Sequence, residues 1–138
     1  RYGMPGAHRE PHVMKTPAGH TLVEFPLSTL EAFRYRLPVA GGGYFRILPY
    51  WLTTAGLRSL NERESRPFIF YFHPWEIDVD QPRIAGIDAR TRFRHYVNID
   101  RNADKLARLL QDFRWGRMDE IFLDRSAPIA HPALASAT

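Results

Sequence analysis

The sequence predicts an α/β fold, and three observations carry that prediction. Residues 67–73, PFIFYFH, form an apolar and aromatic run of strand length. Just before it, Leu48, Trp51, Leu52, Ala55 and Leu60 fall near helical spacing across residues 46–62. After it, Leu106, Leu109, Leu110 and Phe113 repeat at i, i+3, i+4 and i+7. An earlier strand, the first helix and the 67–73 run read as a βαβ unit in outline, which implies a parallel pair. One such unit cannot bury both faces of its strands, so it needs neighbours.

The elements follow in order. Residues 1–20 are rich in Pro, Gly and His without a period and read as an irregular loop. HTLVEFPLS alternates enough for a strand over residues 21–25, stopped by Pro26. STLEAF fits a turn of helix and EAFRYRLPV fits a strand, and the pattern does not separate the two. AGGGYFR reads as a hinge, where Gly41, Gly42 and Gly43 allow positive φ or close backbone approach. Pro49 is tolerated only in the first turn of a helix, which places that helix start near residue 47 or 48. Residues 79–97 read as a long loop running over a surface. The helix DRNADKLARLLQDF is expected to take Asp100 as N-cap, with Gly116 in the C-cap region. RMDEIFL adds one short turn, and SAPIAHPALASAT is expected to be a disordered tail.

The 138 residues are enough for one domain with a modest core, and 44% hydrophobic against 25% charged excludes global disorder. Aromatic residues at 13% suit a carbohydrate-handling surface and a packed core equally. The net charge of +4 and the pI of about 9.8 admit a polyanionic partner, but the basic residues are scattered among acids. Arg90, Arg92 and Arg94 lie two apart and would share one face of a strand. A solvated face outweighs an anionic-ligand or nucleic-acid patch there. The absence of cysteine excludes disulfides, cysteine metal sites and cysteine nucleophiles. No stretch reaches the roughly 20 apolar residues of a membrane span, and no signal-peptide pattern is present. The chain opens on Arg1 in mid-phrase and is expected to be a piece of a longer polypeptide.

His73 is the leading chemical candidate. In α/β barrels catalytic groups sit at the C-terminal ends of strands, and an imidazole can act there as general acid or base. The competing reading is a hydrogen-bonded structural histidine. Trp75 could stack on a sugar face and Glu76 could orient an imidazole or bind a hydroxyl, or the two could be a rim plug and a solvated turn. Of His8, His12, His20, His73, His95 and His131, only His8 and His12 have a spacing of interest, and Pro11 lies between them. Neither HExxH nor a phosphate-binding glycine loop occurs, and GGGYF is not GxGxxG. Ser28 and Thr29 have no paired base. Residue patterns alone lead to an α/β piece with one suggestive histidine.

LVEFPLSTLEAFRYRLPVAGGGYFRILPYWL, FIFYFHPWEIDVDQPRI and RFRHYVNIDRNADKLARLLQDFRWGRM together resemble the C-terminal part of NodB-type polysaccharide deacetylases. More closely, they resemble the subgroup linked to exosortase (PEP-CTERM) exopolysaccharide loci, with its C-terminal extension. The likeness runs over residues 2–122. It implies the C-terminal portion of a distorted (β/α) barrel over residues 1–78, a family-specific loop-and-helix extension over 79–125, and a tail over 126–138.

The resemblance also implies hydrolysis of N-acetyl groups on a polysaccharide, with a divalent metal, usually zinc, in the full-length parent. In that family an Asp and two His hold the metal, a second Asp is the base, and a late-strand histidine protonates the leaving amine. His73, in YFHPWE, matches that histidine. Trp75, Glu76, Tyr44 and Arg46 are the expected substrate contacts. The paired aspartates, the His-x-x-x-His ligands and the Arg-rich motif are absent from this sequence and would lie upstream of Arg1. The chain is therefore expected to hold the acid without metal or base, and to be inactive alone. An incomplete barrel would also leave open strand edges. The alternative is a non-catalytic polysaccharide-binding or assembly module. A nucleic-acid binder rests on pI alone and is not expected. The sequence leaves the sugar, the oligomeric state and a cytoplasmic or periplasmic location open.

Overall fold

The computed structural model describes residues 7–32 and 35–123. The tail expected over 126–138 lies outside the described residues. The fold is mixed α/β, as the sequence predicts, but its strands pair differently. Strand β1 (His12–Lys15) forms an antiparallel hairpin with β2 (Thr21–Glu24), in the register Val13 opposite Val23. Strands β3 (Leu30–Ala32) and β4 (Tyr35–Leu37) form a second antiparallel hairpin. The segment left open between helix and strand thus holds two short paired strands rather than one.

The described residues form these two small sheets and no barrel. Residues 67–73, expected to be a strand, form no strand element; they pair through one parallel bridge, Tyr71 with Gly41. The expected parallel pair between the 21–25 strand and the 67–73 run does not form: Thr21–Glu24 pairs antiparallel with β1, and the one parallel bridge of Tyr71 is to Gly41 of the glycine segment. The reason lies in the glycines. Gly41 and Gly42 adopt φ of 122° and 58° and turn the chain into helix α1 (Gly42–Ile47) immediately after the bridge. A Cβ at Gly41 would overlap the Tyr71 carbonyl, and one at Gly42 the Tyr71 phenol. The expected hinge is therefore a packed corner.

The helix predicted across 46–62 is two helices, α1 and α2 (Tyr50–Glu62). Pro49 N-caps α2, and Leu48 before it is extended at ψ 145°, as a residue preceding proline prefers. The loop expected over 79–97 contains helix α3 (Ala89–Tyr96). Asp88 starts it by accepting from the Arg90 and Thr91 backbone N–H groups, both at 3.0 Å. No residue of α3 is buried, which is why no apolar stripe marks it in the sequence. Arg90, Arg92 and Arg94 therefore sit on a helix, where Arg90 and Arg94 share a face and Arg92 does not. Helix α4 (Ile99–Asp112) follows at once, and α5 (Met118–Phe122) realises the short turn expected from RMDEIFL. The N-cap of α4 is Asn98 rather than Asp100. Asn98 takes the left-handed conformation, φ 54°, which Asn tolerates better than most residues.

One core joins the parts. Val39, Ala40, Phe45, Leu57, Leu60, Leu106 and Leu109 are buried together, so residues on both sides of position 78 contribute. Phe70 meets Phe45 edge-on at 5.0 Å, and Phe68 meets Phe113 at 5.2 Å. In α4 Leu109 is fully buried while Leu110 stays 52% exposed, so the core-facing stripe excludes Leu110. The Tyr50 hydroxyl donates to Asp112 at 2.6 Å; burial and then that carboxylate push its pKa up to about 12. At the other end, Glu64 takes Arg9 at 2.9 Å and Arg66 at 2.8 Å, and both arginines donate to the Thr29 carbonyl. This ties the N-terminal segment to the end of α2.

Leu109→Ala leaves a cavity in that core and is expected to cost about 2–5 kcal/mol in denaturant unfolding; Leu110→Ala should cost far less. Burial alone would raise the Glu64 pKa, but the hydrogen bonds from Arg9 and Arg66 outweigh it and hold it below the ordinary carboxylate value. The unfolded chain then binds more protons near that value, so Glu64 contributes stability above about pH 4.5 that is lost as pH falls further. A urea series at several acidic pH values should show a shallower acid loss for Glu64→Gln than for the native chain.

Candidate functional site

The run 67–72 ends at His73, and Pro74–Glu76 then make one turn of 3-10 helix. Proline suits its first position because its φ is already set and its missing N–H is not needed there. The Glu76 carboxylate accepts the His73 backbone N–H at 3.0 Å, and the Glu76 N–H donates to the His73 carbonyl at 2.9 Å. Gln81 locks the exit by donating to the Trp75 and Asp78 carbonyls at 2.7 and 2.9 Å. So tight a turn sends neighbouring side chains in opposite directions. Glu76 is 1% exposed, whereas Trp75 is 37% exposed.

On the outer side three rings stack. The His73 imidazole lies parallel to the Trp75 indole, 9° apart in plane with centroids 5.5 Å apart. His95 lies parallel to the same indole at 4.9 Å and 11°. Tyr71 meets His73 edge-on at 5.8 Å, and Tyr96 meets His95 edge-on at 4.6 Å. The stack thus runs from the end of the 67–73 segment, across the turn, to the C-terminal end of α3.

On the inner side Arg46 holds these elements together. Its guanidinium is 3% exposed and donates to the His95 carbonyl at 2.7 Å, the Arg94 carbonyl at 3.0 Å and the Val97 carbonyl at 3.3 Å. These are orphan carbonyls at the end of α3, where the helix dipole also favours a cation. Arg46 Nε lies 3.4 Å from Glu76 Oε1, and the guanidinium carbon is 5.3 Å from the Trp75 ring centre. Burial pushes the Arg46 pKa down, and the Glu76 charge offsets part of that. Guanidinium stays protonated regardless. Asn102 donates to the Glu76 carbonyl at 3.0 Å and Asn98 to the Arg46 carbonyl at 2.8 Å, so α4 braces the same pair. Lys105 repeats the device on α1. Its ammonium donates to the Phe45 and Leu48 carbonyls, and burial lowers its pKa.

His73 and Trp75 are therefore on the surface. Arg46 and Glu76 are interior and support that surface from below, which differs from the substrate contacts expected of them. The cause is mutual neutralisation: each gives the other a counter-charge that permits burial. Tyr44 is 53% exposed on α1 but takes no part in the stack. His95 and Tyr96 were not singled out by spacing; a helix running from Asp88 would have brought them to the same end of α3. Ser28, only 4% exposed, accepts the Ile69 N–H at 2.8 Å, a structural role. The His8 and His12 rings are 4.7 Å apart, but among the described residues no three His, Asp or Glu side chains are grouped to hold a metal ion.

A family model described as "Domain of unknown function (DUF3473)" matches residues 1–123, so the chain belongs to that family. No curated protein and no solved structure matches it.

Removing one partner of the buried pair strands the other. Glu76→Leu leaves Arg46 uncompensated and is expected to cost about 3–5 kcal/mol in chemical unfolding. The Arg46→Met, Glu76→Leu double variant should recover part of that loss. If the double variant loses the sum of the two single changes, the two side chains are not coupled.

Proposed function

For this member of the DUF3473 family we propose a role as the C-terminal part of a polysaccharide deacetylase-like protein, in which His73 is the general acid. The observation that supports it best is the exposed His73–Trp75 pair, held on a turn whose backbone and buried carboxylate leave it little freedom. With its faces against His73 and His95, the indole offers its exposed edge to the apolar side of a sugar ring, and the imidazole beside it can reach a substituent nitrogen on that ring.

The chemistry asks this of His73. Hydrolysis of an N-acetyl group expels an amine, which leaves poorly unless a proton reaches its nitrogen as the C–N bond breaks. His73 in its protonated form donates that proton and is left neutral. Trp75 orients the sugar and keeps the imidazole from turning away, and His95 supports the far reach of the indole. The family that the sequence resembles also uses a divalent metal, which supplies an activated water. The described residues of this chain do not make a site for it. Metal ligands and base belong, on this proposal, to another part of the parent polypeptide, and N-acetylated polysaccharide is the substrate.

In the parent polypeptide, His73→Gln is expected to lower kcat for acetate release from chitooligosaccharides by roughly 10²–10⁴-fold, with KM little changed. Trp75→Ala should raise KM. Residues 1–138 alone should release acetate only at background. Full activity of His73→Gln alongside lost binding in Trp75→Ala would support a non-catalytic glycan-binding module instead.

A further inference from the structure

The stack does not end at His95. Tyr96, in edge contact with it, also lines an open groove of about 520 Å³ with Ile87, Ala89, Arg92, Phe93 and Val97. Residues 89, 92, 93 and 96 are one stripe of α3, so the groove is a helix face flanked by the loop that precedes it. That loop is fixed to the helix. The Tyr96 hydroxyl accepts the Ile84 N–H at 3.0 Å and donates to the Pro82 carbonyl at 3.2 Å, and the Arg83 guanidinium lies 4.3 Å from the Tyr96 ring centre.

The face is one-sided in charge. Residues 82–97 contain four arginines, Arg83, Arg90, Arg92 and Arg94, against one carboxylate, Asp88. Asp88 is engaged with the first backbone N–H groups of α3. Among the described residues none of the four arginines reaches a carboxylate within ion-pair distance. All four are exposed, and Phe93 beside them is 57% exposed. Guanidinium forks that reach no carboxylate among the described residues, beside the exposed Phe93 and the half-buried Tyr96, match a ligand that carries carboxylates on partly apolar rings.

We propose that the α3 face and the 82–87 loop bind an acidic glycan, with Arg92 and Arg83 meeting its carboxylates and Phe93 and Tyr96 its ring faces. This rests on the deacetylase proposal and names the substrate class: a polymer in which uronic-acid units accompany the N-acetylated ones. The shallow groove suits an extended chain rather than an enclosed small molecule. Its link through Tyr96 and His95 to Trp75 lets one strand of polymer run from the groove along the ring stack, with a unit farther along at His73.

Calorimetric titration of residues 1–138 with oligogalacturonate, and separately with a neutral chitooligosaccharide of equal length, tests this. Oligogalacturonate should bind the more tightly and weaken as salt rises. Arg92→Gln should weaken it about tenfold, the size of one lost charge-assisted contact, and leave the neutral oligomer unaffected. Arg92 is exposed, and an unchanged far-ultraviolet circular dichroism spectrum confirms that the variant folds. Equal affinity for the acidic and neutral oligomers, or no effect of Arg92→Gln, overturns the acidic-glycan inference and leaves the role of His73 standing. Duplex DNA binding as tightly as oligogalacturonate also overturns it, because the face would then read charge alone. Oligogalacturonate binding that survives alongside full activity of His73→Gln supports the inference while removing the acid role.

Discussion

The structure depends on one buried cation. Arg46 sits where α1, the Pro74–Glu76 turn and the end of α3 converge, and it is nearly sealed from water. Such a charge is tolerable only with a counter-charge and satisfied donors. Glu76 supplies the first, and the α3 carbonyls satisfy the two terminal nitrogens, while Nε faces Glu76 without a hydrogen bond. The constraint runs both ways: α3, with none of its residues buried, has little else to hold it in place, and the turn owes its inward Glu76 to the same guanidinium. The outer stack inherits its geometry from this interior. Trp75 stands opposite Glu76 on the turn, and His95 contributes both a carbonyl to Arg46 and a ring to Trp75.

The same economy links fold to chemistry. A proton donor must be held within reach of a nitrogen without being buried. On the proposed role, His73 meets both demands: its imidazole stacks on an indole while its backbone N–H is held by the buried Glu76 carboxylate. The groove along α3 continues that surface toward arginines that, among the described residues, reach no carboxylate. On the proposed polysaccharide role such length is useful, because binding energy from units that do not react can be spent at the one that does.

What the sequence made visible divides along physical lines. Helix α4 was readable because its apolar stripe is buried, and Leu106, Leu109 and Phe113 repeat at the helical period. Helix α3 was not, because it is held by a cap and by Arg46 rather than by apolar burial. Its charged sequence reads as a loop. The 67–73 run reads as a strand but forms only a one-residue bridge, because pairing depends on partners in space and Gly41 and Gly42 end it there. His73 and Trp75 were singled out because aromatic and titratable residues at the end of an apolar run are conspicuous. Arg46 and Glu76 were singled out for the wrong side of the surface, since spacing along the chain does not say which charges will meet inside it.

Proton NMR of the histidine rings tests most directly whether Arg46 sets the stack. In the native chain the ring protons of His73 and His95 should be shifted upfield by the Trp75 ring current. Arg46→Lys keeps the charge but loses the planar fork that spans three carbonyls and a carboxylate. The account predicts that both sets of shifts collapse toward free-histidine values in this variant while α2 and α4 remain folded. Unchanged shifts at both histidines would contradict it, and would mean that the rings hold their arrangement without the guanidinium beneath them.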